Sequence, residues 1–149
     1  MGKLGRRIVC LGALGCISLW DVSASAQSLS ACSQTINYKL TIPGADVPAA
    51  TRAFSGVWAG TWGNQLCHVL IVEQIAPDGA VKARYVHGTN PGWGINQPGS
   101  RQWSGKIAGN TLTLSDKGGS VEYKLVDAGT LSGTYSFGTG RSSGTFKKQ

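Results

Sequence analysis

The sequence has few of the residues that carry acid, base or metal chemistry. Only seven of its 149 residues are Asp or Glu and two are His, and charged residues make up 14% of the chain. The carboxylates after the N-terminal segment lie singly, in loops, in turns or on the outward faces of predicted strands: Asp46, Glu73, Asp78, Asp116, Glu122 and Asp127. They form no acid/base pair, and the chain has neither a phosphate-binding loop nor a spaced set of zinc ligands. The sequence therefore predicts a non-catalytic protein that uses no metal and no cofactor.

The chain also lacks an apolar run long enough to cross a membrane as a helix. The run at residues 8–20 has about 13 residues, whereas a spanning helix needs about 20. Basic residues precede this run and the small residues Ala24-Ser25-Ala26 follow it, which is the three-part layout of a secretory signal peptide. We predict that residues 1–26 are a signal peptide, that the mature chain begins at Gln27, and that it is periplasmic or secreted.

Cysteine is also scarce, with four in the chain, and the predicted cleavage removes two of them. A lipoprotein signal ending at Cys16 is the alternative, but Ala13 is a poor first residue for that motif, so lipid anchoring is not expected. Cys32 and Cys67 remain, and in an oxidising compartment we expect them to form a disulfide. A closed loop of about 35 residues would stabilise the fold by roughly 3–4 kcal/mol in the chain-entropy treatment. The competing interpretation, a catalytic thiol at Cys67, has only the adjacent His68 in its favour.

Clustered charge is absent as well. The net charge of +7 falls to about five positive charges once the predicted signal peptide is removed. The remaining basic residues are spread along the chain, and only Lys147 and Lys148 are adjacent. Nucleic-acid binding needs a basic stripe interleaved with aromatics, so no nucleic-acid partner is predicted. The charge implies no more than a mild attraction to anionic surfaces or sugars.

The chain contains a series of short predicted strands separated by turn residues. Apolar residues alternate strictly from Gln34 to Ile42, which indicates one half-buried strand before the main domain. Eight further short strands follow, separated by turn sequences such as Gly63-Asn64 and Pro77-Asp78-Gly79. These strands are predicted at 54–62, 66–75, 80–87, 101–108, 111–115, 120–126, 130–137 and 141–148.

Short turns make successive strands antiparallel, and a meander of eight strands removes its unpaired edges by closing. The predicted fold class is therefore all-β, with a single eight-stranded antiparallel up-and-down barrel at 54–149. An extra N-terminal strand and loop are predicted at 27–53. A β-sandwich is the alternative architecture. The 22 glycines suit the bending walls of a barrel.

One connection, residues 88–100, is much longer than the others and contains Trp93. Connections of this length inside a compact domain are commonly functional. Alternation of the strand ends places it on the same rim as the turns at 63–65, 116–119 and 138–140. We therefore expect the functional site at this rim.

Two histidines are predicted near the same rim. The turn at Pro77-Asp78-Gly79 sets a register in which His68 faces His87 and Leu70 faces Tyr85, and such cross-strand partners lie about 5 Å apart. The pair could form the polar floor of a ligand site or hold a metal, and a purely structural role is the other interpretation.

The tryptophans divide into two groups. Trp58 and Trp62 fall on one face of the first barrel strand, where at least one is expected in the core. Trp93 and Trp103 lie near the predicted rim, where aromatic side chains suit stacking on sugars or planar ligands.

The start of the predicted barrel resembles the calycins, which include lipocalins, fatty-acid-binding proteins and avidins. Gly56-Val57-Trp58 in a first strand, with Arg141 in the last, is similar to the calycin pattern in which a basic side chain packs across that tryptophan. The resemblance implies structural roles for Trp58 and Arg141.

A second resemblance is to the first hairpins of the avidin and streptavidin family. It is carried by residues 60–66 (Gly-Thr-Trp-Gly-Asn-Gln-Leu), 78–80 and 85, with a later echo at 103–105. It implies that Asn64 and Tyr85 contact the ligand, that His68 replaces a ligand-binding serine, and that Trp103 stacks on the ligand. The whole region also resembles a barrel module of secreted bacterial hydrolases and the barrel of secreted bacterial protease inhibitors.

The sequence thus predicts an exported, non-catalytic barrel that binds a small molecule of unknown identity at its rim. The predicted ligand-binding residues are Asn64, His68, Tyr85, His87, Trp93 and Trp103. The alternative is a protein-interaction or protease-inhibitor barrel, which would offer the segment before Phe54 to a protease cleft.

Overall fold

The structure, a computed structural model, describes residues 24–149 and is almost entirely β. Its elements are β1 (Ala24–Ala31), β2 (Gln34–Thr41), α1 (Ala49–Arg52), β3 (Gly56–Trp62), β4 (Leu66–Ile75), β5 (Ala80–His87), β6 (Gly99–Ala108), β7 (Thr111–Asp116), β8 (Gly119–Asp127), β9 (Thr130–Phe137) and β10 (Gly140–Lys148). The predicted signal peptide lies outside the described residues except for its last three, which begin β1. None of the helices described is long and apolar enough to span a membrane.

Strands β3 to β10 form the predicted barrel. Each strand pairs with the next in antiparallel fashion, and β10 pairs back with β3, so the sheet closes. The eight-stranded antiparallel barrel is therefore confirmed, with strand bounds that agree to within about two residues, and the β-sandwich alternative is wrong. The predicted register between β4 and β5 is present from His68 to Val72. A β-bulge at Glu73 shifts the register by one residue in the part of the hairpin nearer the turn.

The N-terminal part contains two strands, not the single strand predicted. β1 pairs with β2 along its whole length, across a turn at Cys32 and Ser33 whose φ angles are 51° and 62°. The prediction missed β1 because its Ala- and Ser-rich sequence has no alternating large apolar residues and reads as a cleavage site. Cleavage before Gln27 would keep the pairs from Gln27 to Ala31, including the 2.7 Å hydrogen bond that Tyr38 Oη donates to Gln27 Oε1.

The β1–β2 hairpin packs on the outer face of the barrel beside β4. Ile36 of β2 is 2% exposed and joins a second apolar cluster whose barrel members are Val57, Val69, Ile71 and Val86. The predicted disulfide between Cys32 and Cys67 is present, and it ties the hairpin turn to β4. Ile42, which the alternation placed on the same face, lies beyond the end of β2 and is exposed.

The interior of the barrel is filled at the end away from the long loop. Phe54 and Trp58 are fully buried there with Val47, and Trp58 Nε1 donates a 2.8 Å hydrogen bond to the carbonyl of Phe54. Higher in the barrel Gly133 makes room for two rings, because a Cβ at this position would lie 2.7 Å from Phe146 and 2.8 Å from Trp62. This end of the barrel is therefore closed by side chains.

The basic side chain across Trp58 is Lys148, not Arg141. Lys148 Nζ lies 5.0 Å from the centroid of the Trp58 ring and donates a 3.0 Å hydrogen bond to the carbonyl of Ala53. Arg141 stands at the start of β10, at the opposite end of the barrel, so the role that the calycin resemblance implied for it is wrong. The strand direction explains the difference, since the last residues of β10 pair with the first part of β3.

Removal of the disulfide should weaken the fold strongly. We expect the double substitution Cys32→Ala/Cys67→Ala to lower the free energy of unfolding by roughly 3–4 kcal/mol, because the unfolded chain loses a crosslink. Urea unfolding followed by circular dichroism measures this, and reduced wild-type protein is the control, since it should show the same loss. A double variant as stable as the oxidised protein would contradict the prediction.

Substitutions of Lys148 and of Arg141 together test the contact between Lys148 and Trp58. We expect Lys148→Gln to cost about 0.5–1 kcal/mol, the usual range for a cation–π contact, in the same urea assay. Arg141→Gln removes an equal charge from the same strand and should leave the stability nearly unchanged. Equal losses in the two variants would show that the contact with Trp58 contributes nothing specific.

Candidate functional site

A cavity of about 880 Å³ opens at the rim that carries the long loop. Ligand sites in proteins are commonly concavities of roughly 300–1,000 Å³ lined by apolar and aromatic side chains with a few polar groups. The larger residues that border this one are Trp62, Leu66, Tyr85, His87, Trp93, Ile95, Asn96, Gln97, Arg101, Trp103, Asp116, Tyr135, Phe137 and Arg141. A second hollow, of about 540 Å³, is lined only by residues 30–35 of the exposed hairpin turn. We therefore take the barrel mouth as the candidate site.

One wall of the cavity is a pair of stacked rings. Tyr85 of β5 and Trp103 of β6 lie 4.8 Å apart between centroids, at 15° between planes. Each is less than a tenth exposed, so both rings are held by packing. Burial raises the pKa of the Tyr85 hydroxyl, which therefore stays protonated and available for hydrogen bonding. The pair gives the cavity a rigid aromatic wall of which only a small part is accessible.

Trp62 and Tyr135 line the cavity with their ring centroids 6.0 Å apart. Trp62 Nε1 lies near enough to the Tyr85 hydroxyl to oppose the rise in its pKa. The two groups nevertheless lack hydrogen-bond geometry, so this indole N–H has no hydrogen-bond partner among the described residues. Trp103 Nε1 is likewise buried without a partner in the described part of the chain.

Beneath these rings His68 is fully buried and doubly hydrogen-bonded. Its Nδ1 lies 2.6 Å from the carbonyl of Val86, which can only accept, so Nδ1 carries the proton. Its Nε2 therefore accepts the 2.7 Å hydrogen bond from the hydroxyl of Tyr123. Burial lowers the pKa of His68 to about 3, despite the opposing effect of the Val86 carbonyl. The ring is neutral and structural, and it does not line the cavity.

The loop between β5 and β6 borders the mouth of the cavity. Asn90 and Ile95 pair across it, and a short 3₁₀ turn, Pro91–Trp93, lies between them. Trp93 is 44% exposed and packs over the β3–β4 turn. A Cβ on Gly63, whose φ is +54°, would lie 3.0 Å from the Trp93 ring. Trp93 thus reaches from its own loop to the neighbouring turn of the rim.

The base of this loop is held by the N-terminal hairpin. Gln34 Nε2 donates hydrogen bonds to the carbonyls of His87 and Gly99, at 3.0 and 3.2 Å, and so joins the two ends of the connection. The disulfide lies beside Gly88, where a Cβ would approach Cys67 to 3.2 Å. The hairpin therefore fixes the point at which the loop leaves the barrel.

The structure brings together four of the six predicted ligand-binding residues. Tyr85, His87, Trp93 and Trp103 all line the cavity. Asn64 does not, because it is a turn residue with a left-handed backbone (φ 56°) on the exposed rim. His68 pairs with His87 as predicted, but its ring is fully buried. Within residues 24–149 no three His, Cys, Asp or Glu side chains come together as metal ligands.

Several lining residues were missed by the sequence reasoning. Arg101 shares a strand face with Trp103, and Tyr135 shares one with Phe137, because residues two apart in a strand point to the same side. Asp116 stands at the end of β7 and contacts Arg101 at 3.4 Å. Extension of the period-two pattern to the strand ends at the predicted rim would have found them.

The sequence from Gly140 to Gly144 has the Gly-x-Ser-x-Gly spacing of a hydrolase nucleophile elbow. In that motif the serine stands on a sharp turn between a strand and a helix. Here the whole stretch lies within β10. Ser142 lines the cavity, but its side chain makes no hydrogen bond to a histidine or carboxylate of the described residues. The motif's required geometry is not present.

No protein-family model matches the chain, and no curated protein matches it. A similar solved structure is a de novo designed fluorescence-activating β-barrel, with a TM-score of 0.49 and 14% sequence identity, covering 69% of this chain and 100% of that one.

The buried His68 should make stability depend on pH. Its pKa is about 3 in the folded protein and about 6.5 in an unfolded chain, so the unfolded state takes up the proton first as the pH falls. The contribution is complete above pH 6.5, and it is lost towards pH 3 by up to about 1.4 kcal/mol per pH unit. Urea unfolding at a series of pH values measures this slope.

Two variants test whether His68 causes the loss of stability at low pH. His68→Leu should be less stable at pH 7, because Tyr123 and Val86 lose their partner, and should show a shallower acid slope. His87→Gln removes the other histidine and should keep the wild-type slope. An unchanged slope in His68→Leu would assign the acid sensitivity to another group.

Proposed function

We propose that this protein is an exported, calycin-like barrel that binds a small organic ligand in its open mouth. The observation that carries the proposal is an aromatic-lined cavity of about 880 Å³ above a filled core. Exposed apolar concavities commonly mark binding sites. Phe137 and Trp93 line it while 60% and 44% exposed, respectively.

Export is part of the same proposal. A disulfide between Cys32 and Cys67 is compatible with an oxidising compartment. The signal-peptide pattern at residues 1–26 supplies the sequence argument for export.

Titration of tryptophan fluorescence tests ligand binding directly. The oxidised protein, starting at Gln27, is titrated with biotin, fatty acids, haem and short sugars. We expect saturable quenching by at least one class, because Trp62, Trp93 and Trp103 all line the cavity. Trp93→Ala should weaken that binding by about tenfold, which corresponds to about 1.4 kcal/mol. Val126→Ala, an exposed apolar residue at the far end of the barrel, should leave the affinity unchanged.

The alternative function predicts a different result. A protein-interaction or inhibitor barrel would show no saturable response to any small molecule in the panel. Such a flat response, in protein shown by circular dichroism to be folded, would overturn the ligand-binding proposal. Protease inhibition would then be the next assay.

A further inference from the structure

The rim around the cavity carries exposed aromatic side chains. Among residues 24–149, four large apolar side chains are exposed: Ile42, Trp93, Val126 and Phe137. The two aromatic ones, Trp93 and Phe137, both border the mouth of the cavity. They come from different parts of the chain, since Trp93 lies in the loop between β5 and β6 and Phe137 ends β9. Exposed aromatic surface is therefore concentrated at this end of the barrel.

The two aromatic rings are distributed around the whole rim. A Cβ on Gly118, in the turn between β7 and β8, would lie 3.9 Å from the Phe137 ring, and one on Gly63, in the turn between β3 and β4, would lie 3.0 Å from the Trp93 ring. Between them, the rings lie in or beside all four connections at this end. Exposed apolar surface that is gathered in one place commonly marks a docking site.

Basic side chains stand around the same rim. Arg101, Lys117 and Arg141 are exposed, at the start of β6, in the turn between β7 and β8, and at the start of β10. The register of β10 places Arg141 on the outer face beside Ser136, so its charge lies next to the mouth and not in the cavity. One carboxylate, Asp116, accompanies them and contacts Arg101 at 3.4 Å. Three positive charges and one negative charge give this end a net charge of 3 − 1 = +2.

The opposite end of the barrel has a different surface. Its exposed apolar residue, Val126, is aliphatic. The turns and loops at that end hold three of the six carboxylates of residues 24–149, namely Asp46, Asp78 and Asp127. Lys147 and Lys148 are engaged there by hydrogen bonds to Thr130 and to the carbonyl of Ala53. A negatively charged surface would therefore attract the rim and repel the carboxylates of the far end.

We infer that the rim docks reversibly on an anionic lipid bilayer. Trp93 and Phe137 enter the headgroup region, a location in which amphipathic and aromatic side chains are favoured. The three basic residues meet the negative headgroups, since each Lys or Arg near such a surface adds to the attraction. The inference goes beyond the proposed function, because docking places the cavity mouth at the bilayer without requiring the cavity to be occupied.

Flotation with lipid vesicles tests the docking. The oxidised protein, starting at Gln27, is mixed at low salt with vesicles of phosphatidylcholine alone or of equal parts phosphatidylcholine and phosphatidylglycerol. We expect about tenfold higher affinity for the anionic vesicles, and this advantage to shrink as NaCl screens the charges. Phe137→Ser should weaken binding to both kinds of vesicle. The double variant Lys117→Glu/Arg141→Glu should remove the preference for anionic vesicles.

Quenching by brominated lipids locates the contact. In the protein starting at Gln27, Trp93 is exposed, whereas Trp58, Trp62 and Trp103 are buried. Bromine on the acyl chains quenches a tryptophan only at short range, so we expect the fluorescence of Trp93 to fall when the protein binds brominated anionic vesicles. Trp93→Phe keeps an aromatic ring at the rim, and should retain binding while losing this quenching.

Matched variants away from the rim serve as controls. Val126→Ser removes an exposed apolar side chain at the far end. Lys82→Glu/Lys106→Glu makes the same change in net charge as the rim double variant, at exposed positions near the far ends of β5 and β6. Both should retain most of the binding and the preference for anionic vesicles. Thermal unfolding of each variant establishes that the barrel is intact.

Several results would overturn the docking inference. Equal affinity for the two kinds of vesicle is one, and equal losses in the rim and control variants are another. Binding without quenching of Trp93 would show that a different surface meets the lipid. A dimer that forms without vesicles and is lost in Phe137→Ser would show that a second copy of the chain covers the rim. None of these results affects the small-ligand function, which is titrated in the absence of vesicles.

Discussion

A hydrogen bond across the inside of the barrel organises the rest of the structure. His68 stands on β4 and Tyr123 on β8, which are four strands apart in a closed order of eight and therefore face each other. The bond between them, with the second bond from His68 to Val86, spans the interior at one level. Because both side chains are buried, either one without the other would leave an unpaired polar group, which is costly. The bond sets the level at which the filled core ends and the mouth begins.

Aromatic rings pack on both sides of the hydrogen bond between His68 and Tyr123. Phe146 meets Trp62 edge to face at 4.8 Å and lies 5.1 Å from His68, while Tyr85 lies 4.3 Å above the same imidazole. Rings of this size fit inside an eight-stranded barrel only where the opposing wall is thin, and Gly133 provides that space. The tight packing below the mouth gives the cavity a firm floor. The floor residues, rather than the loops, hold the flat wall in place.

Much of this architecture can be predicted from the sequence, because short turns and alternating residues constrain a meander strongly. The predicted pairing of His68 with His87 is present, although a β-bulge at Glu73 lies between this pair and the turn at 77–79. The same pattern could not tell that His68 is buried, since period two identifies a face but not a depth along the barrel axis. β1 was not predicted because its Ala- and Ser-rich sequence lacks the alternating large apolar residues that indicate a strand. Lys148 was missed because a resemblance carried by only four residues indicates a packing role without showing which basic side chain performs it.

The closed end of the barrel limits the routes by which a bound molecule can leave. Val47, Phe54 and Trp58 seal the end away from the cavity, so exchange of any molecule in the mouth has to take place through the rim. Trp93 and its loop stand beside that single passage, and Gln34 and the disulfide hold the base of the loop. Affinity differences among related complexes arise mostly in dissociation rates. The residence time of an occupant would therefore depend on the rim, where the loop is held at its base by a hairpin that does not line the cavity.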